Sequence, residues 1–154
     1  MQSRIGAGVV AGIVAGLVFG VMMQMMSAPT PEGGQAPMMA MVAKIVGSSS
    51  LGIGWIYHLF NSAVIGGIFG WLFGARAINV GSGFGWGAAY GIGWWILGGQ
   101  ILMPIMLGMP PFASLTMPPM HIVAVGSFIG HIVYGAILGG LYPVLTRVAT
   151  PLTE

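Results

Sequence analysis

The sequence predicts an all-α membrane protein: four transmembrane helices forming two helical hairpins, the second a parallel repeat of the first, packed through glycine-rich faces. Three observations predict this. Hydrophobic residues make up 56% of the 154 positions and charged residues 4%, with a mean hydropathy of +0.95, whereas roughly a quarter of a soluble domain is charged. Four apolar runs, about 5–26, 51–74, 84–107 and 122–145, each reach the ~20 residues a helix needs to cross ~30 Å of hydrocarbon. Strands of an outer-membrane barrel would be shorter and alternating. Small residues recur at every fourth position inside the runs, which puts them on one helix face. Residues 1–154 read as a single transmembrane domain.

Helix 1 carries Gly8, Gly12, Gly16 and Gly20. In water each glycine costs a helix about 1 kcal/mol relative to alanine, so four in register imply close approach by another helix. Arg4 before this run gives it the look of a signal peptide. It is longer than the apolar core of one, however, and Met26-Ser27-Ala28 is a poor cleavage site, so the segment is expected to stay. A longer outer loop follows at 27–50. Pro29, Pro31, Gly33 and Gly34 exclude regular helix at its start, and 36–46 is predicted as a short interfacial helix.

Helix 2 presents the row Gly54, His58, Ser62, Gly66 and Gly70, and the inner loop after it, 75–83, is short. Helix 3 presents Gly83, Gly87, Gly91, Trp95 and Gly99, a spacing that aligns Gly8 of helix 1 with Gly87, and is expected to run unbroken at mid-depth. The second outer loop, 108–120, holds Pro110, Pro111, Pro118 and Pro119 and is expected to be a stiff extended turn. Helix 4 presents Ser127, His131, Gly135 and Gly139, and its stretch 127–140 repeats 54–67 of helix 2. Both hairpins start on the same side, so the repeat axis lies along the membrane normal.

Arg4, Arg76 and Arg147 fall on one side of this topology, and Lys44 with Glu32 on the other. Positive residues gather on the cytoplasmic side, which predicts cytoplasmic N- and C-termini. The net charge of +2 rests on too few residues to imply a nucleic-acid partner. The expected surroundings are the lipid bilayer and other membrane subunits. There is no cysteine, which excludes disulfides and thiolate chemistry.

Glu32 and Glu154 are the only acids, so no carboxylate pair, Ser-His-Asp set or Walker loop exists and the chain is read as not an enzyme. The glycines of 81–87 open a membrane helix with no strand before them, which rejects a dinucleotide site. His58 and His131 occupy matching repeat positions, and polar groups inside a membrane point to function. Two neutral imidazoles can ligate haem b or hold chlorins, with Gly66 and Gly139 admitting a flat ring. Otherwise each hydrogen-bonds a nearby carbonyl or hydroxyl. Of thirteen methionines all but Met1 fall toward the outer surface. Met103, Met106, Met109 and Met120, with His121, form a candidate Cu(I) set, thioethers being soft ligands; otherwise methionine fills gaps or makes a docking surface. Asn61 and Gln100 are expected to hydrogen-bond between helices.

The motif His131-Ile132-Val133-Tyr134-Gly135-Ala136-Ile137-Leu138-Gly139-Gly140, with Met109-Pro110-Pro111 before it, resembles small four-helix bacterial integral membrane proteins, best over helices 3 and 4. That resemblance implies a bacterial source, hence the inner (plasma) membrane, and lends no mechanism. The expected function is a non-catalytic accessory subunit of a larger respiratory or photosynthetic electron-transfer complex. The alternatives are a Cu(I)-handling protein and a small transporter.

Overall fold

Glycine set against backbone fixes how the helices lie in the computed structural model, which describes residues 2–30 and 33–148. Met1, Pro31, Glu32 and Glu154, named above, lie outside the described residues. Helix α1 (Gln2–Met25) crosses α3 (Leu51–Phe73), with Gly8 facing the Gly66 carbonyl and Gly12 facing the Ser62 carbonyl. Helix α4 (Val80–Trp94) crosses α7 (His121–Val148) in the same manner, through Gly83 on the Gly139 carbonyl, Gly87 on Gly135 and Gly91 on His131. At each of these glycines even a methyl group would overlap the facing backbone. Close van der Waals packing of this kind, rather than hydrophobic exclusion, holds helices together in lipid.

The two pairs meet mainly through α1 and α7, where the Phe19 ring lies over Gly130. Helices α3 and α4 scarcely touch. Two tyrosines bridge to α3 instead: Tyr90 Oη donates to the Ile65 carbonyl and Tyr134 Oη to the Ser62 carbonyl, each at 2.8 Å.

Segments Arg4–Met25, Leu51–Phe73 and Pro118–Arg147 are long and apolar enough to cross a membrane. Their outward positions, such as Leu17, Val21, Ile56, Phe60 and Ile129, are exposed and apolar, the surface a lipid-embedded helix presents. The chain is a helical membrane protein.

The third apolar run departs from expectation at both ends. It starts earlier, at Val80 rather than 84, because Asn79 and Ser82 form a reciprocal capping box, the Asn79 side chain accepting from Ser82 N at 2.9 Å. It is also not one unbroken helix. After Trp94 the backbone widens into a π-helix, Trp95–Leu102, before the short helix α5 (Met103–Met106). Pro104 supplies the cause: it lacks an N–H and its ring would strike the carbonyl four residues back, that of Gln100. That carbonyl turns to accept the Phe112 N–H at 2.6 Å.

The loops at the end away from the arginines fold back onto the bundle. Strands β1 (Ser27–Pro29) and β2 (Gln35–Pro37) pair antiparallel, and α2 (Met38–Ile45) follows. Helix α2 buries Met38, Met39, Val42 and Ala43, its Met39 carbonyl pressing on Gly54 of α3. The second loop is not extended. Phe112 takes a left-handed conformation (φ 62°), helix α6 (Ala113–Thr116) follows, and a 3₁₀ turn, Pro118–Met120, leads into α7. Ser114 Oγ donates to Gln100 Oε1 at 2.6 Å, so both the main chain and side chain of Gln100 anchor this loop.

Opposite the loops the three arginines share one end. Arg147 Nη2 donates to the Ile78 carbonyl at 3.4 Å, Arg76 stands 5.7 Å from the centre of the Trp86 ring, and the Arg4 carbonyl abuts Gly70.

Candidate functional site

A cavity of about 280 Å³ occupies the gap that the tight glycine pairs leave between α3 and the π-helix. Two features of the sequence open it. Glycines draw α1 to α3 and α4 to α7, while α3 and α4 scarcely touch, so the aromatic side chains between the pairs leave part of the seam unfilled. Gly98 and Gly99 then leave part of the π-helix wall without side chains. Met38 and Val42 of α2 close the loop end, and Phe19 and Met23 of α1 form the floor. Val64, Leu102 and Met106 line it and are also exposed, which makes the cavity a cleft open at the apolar surface of the bundle.

Most of the lining is apolar, with Tyr57, Asn61, Ser62, Ser127, Tyr134 and both histidines among its polar groups. His58 is buried, 8% exposed. Its Nε2–H donates across to the Gly16 carbonyl of α1 at 2.9 Å. Ser62 Oγ donates to the His58 carbonyl at 2.8 Å. His131 is half-buried and donates from Nδ1 to the Ser127 carbonyl, one turn back, at 2.8 Å. This leaves His131 Nε2 as a lone-pair acceptor. It has no hydrogen-bond partner among the described residues, and neither has the Asn61 side chain.

The two imidazoles flank one phenyl ring. Phe19 lies edge-on to His58 at 5.6 Å and to His131 at 4.8 Å between ring centroids. A haem held by both histidines would require both Nε2 atoms at the iron. Here His58 Nε2 serves Gly16, and Phe19 contacts both rings. Gly66 and Gly139, expected beside a flat ring, are covered instead by the backbones of Gly8 and Gly12 and of Gly83 and Gly87. The cleft also lies at the lower limit of small-molecule sites, below what a substituted tetrapyrrole fills. The residues as placed therefore do not fit a bis-histidine haem.

The chain matches no protein-family profile, no curated protein and no solved structure.

The candidate metal set divides. Met103, Met109 and Met120 gather around a second, small cavity, while Met106 is 53% exposed on the rim of the large cleft. His121 points away, its Nε2–H donating to the Leu115 carbonyl at 3.1 Å. Among the described residues no three His, Cys, Asp or Glu side chains come together. Gln100 behaves as expected of an interhelical polar residue in part, since Oε1 accepts from Ser114 while Nε2 has no partner. Asn61 does not: it sits on the cleft wall. Sequence reasoning missed its place there, and the only signal was its position three residues past His58.

Proposed function

We propose that this chain is a four-span, non-catalytic subunit of a bacterial inner-membrane electron-transfer assembly, and that its cleft binds a small lipid-soluble molecule bearing hydroxyl groups, a quinol. The observation that carries the proposal is the unused pairing capacity of His131 Nε2 and the Asn61 amide on an otherwise apolar wall. Inside a membrane such groups are costly unless partnered. A quinol O–H donates to the Nε2 lone pair, its ring and prenyl tail meet apolar lining, and entry from lipid needs no aqueous path. The non-catalytic reading follows from having two acids in the whole sequence, neither within an apolar run.

The four spans are α1, α3, α7 and the composite 80–106. Taken as parallel repeats, the pairs match Gly8 with Gly83 and Gly12 with Gly87, judged by the glycines they meet. Spacing alone aligned Gly8 with Gly87, one turn out of step, because periodicity carries no information on which turn faces the partner. The arginine end is assigned to the cytoplasm.

The test is to extract lipids from protein purified in native membrane patches and to measure quinone per chain by mass spectrometry. A near-stoichiometric amount in the wild type, reduced at least tenfold in an Asn61→Leu, His131→Leu double variant of equal stability, is expected. Equal amounts in both overturn the proposal. One observation favours a second reading, small-molecule transport: interrupted helices mark the substrate sites of many transporters, and the π-helix lines this cleft. Flux of a quinol analogue across liposomes separates transport from binding.

A further inference from the structure

We infer that the outer end of the bundle holds a binding site for a soft monovalent cation, Cu(I) in class, built from Met38, Met41, Met103, Met109 and Met120. These five line one cavity of about 30 Å³. They come from four stretches that are distant in sequence: α2, the start of α5, the turn after it, and the 3₁₀ turn before α7. The fold that brings them together has its own cause. Pro104 turns the Gln100 carbonyl toward Phe112, and Ser114 bonds the Gln100 side chain, which lays the 109–120 loop over Met103. The β1–β2 hairpin returns α2 to the same place from the other side.

The chemistry of the lining points to a soft ion rather than to water or a hard cation. The volume suits one small occupant. A buried water needs two to four polar partners, and the wall offers only two polar side chains, Ser114 and Ser127, against five thioethers. Hard cations demand oxygen ligands, whereas thioethers select Cu(I). Neutral thioethers leave the ion its single charge, which suits a monovalent ion better than a divalent one in a low-dielectric setting. Methionine used only to fill gaps would not require sulfur. Met38 and Met103 also border the large cleft, but the inference requires no quinol there.

The test uses Ag(I) as a redox-inert probe, titrated calorimetrically into the full chain in nanodiscs. One equivalent is expected to bind. A Met103→Leu, Met109→Leu, Met120→Leu variant should lose affinity at least a hundredfold, while a Met106→Leu, His121→Ala variant should bind as the wild type does. Leucine keeps the volume and apolarity of methionine, and circular dichroism checks the fold. Should the triple variant not fold, the single Met109→Leu change is read in its place, with at least a fivefold loss expected. Absence of stoichiometric binding in the wild type, full binding after loss of these sulfurs, or loss on changing Met106 and His121 overturns the inference.

Discussion

Two glycines two residues apart illustrate how residue-scale packing governs this chain. A methyl at Gly87 would overlap the Gly135 carbonyl, whereas one at Gly85 meets nothing within 4 Å. Gly87→Ala is therefore expected to lower stability by about 1–3 kcal/mol, the usual cost of overpacking, and Gly85→Ala to leave it unchanged or raised. Thermal unfolding of the two variants in the same detergent checks this. The histidines should separate similarly. His58→Ala removes the bond to Gly16 and is expected to cost about 0.6–1.7 kcal/mol of stability, the range for hydrogen bonds between membrane helices. His131 bonds only within its own helix, so His131→Leu should leave the fold intact and empty the cleft of ligand. That the histidines lie among small residues was legible in the spacing. That one bonds across helices and the other along its own was not, because the difference depends on which turn of α1 lies opposite.

At the scale of elements, three of the four apolar runs coincide with helices long and apolar enough to cross a membrane, because lipid imposes a length and a composition on anything that crosses it. They located the π-helix not at all. Its signal was present in Pro104 and the adjacent Gly98 and Gly99, but apolar content does not distinguish a widened helix from a regular one. Pro104→Ala restores the N–H and removes the clash. It is expected to return 95–106 to α-helical pairing, release the Phe112 N–H from Gln100, and narrow the cleft. Hydrogen exchange at Phe112, now at 2.6 Å from its acceptor, should then rise, and quinol binding should fall at least tenfold. The outer loops were legible as irregular from their prolines, while their return onto the bundle depends on Gln100 and Ser114, fourteen residues apart, a distance that no local pattern encodes. For the same reason the methionines read as one-sided in the sequence but not as a cluster: Met38 and Met41 reach Met103 only through the hairpin.

At the scale of the whole molecule, two tight helix pairs make a protein with a seam, and His131 Nε2 and the Asn61 amide, both without a partner among the described residues, lie on it. The arginine end is predicted to face the cytoplasm. The native chain has no cysteine, so single cysteines report cleanly on sidedness. Met38 is buried and unsuitable, but positions 44 and 76 are exposed at opposite ends. Lys44→Cys should label with a membrane-impermeant maleimide in intact spheroplasts and Arg76→Cys only after lysis; the reverse pattern would invert the topology. The central claim, that the seam between α3 and the π-helix is a quinol site, is tested most directly by photo-crosslinking. A photoreactive quinol should be irradiated with the protein in nanodiscs and the adducts mapped by peptide mass spectrometry. The account expects adducts confined to 19–23, 38–45, 57–65, 94–106 and 127–134, lost when excess unlabelled quinol competes. Labelling spread over the lipid-facing positions of α1 and α7, with no competition, would contradict it.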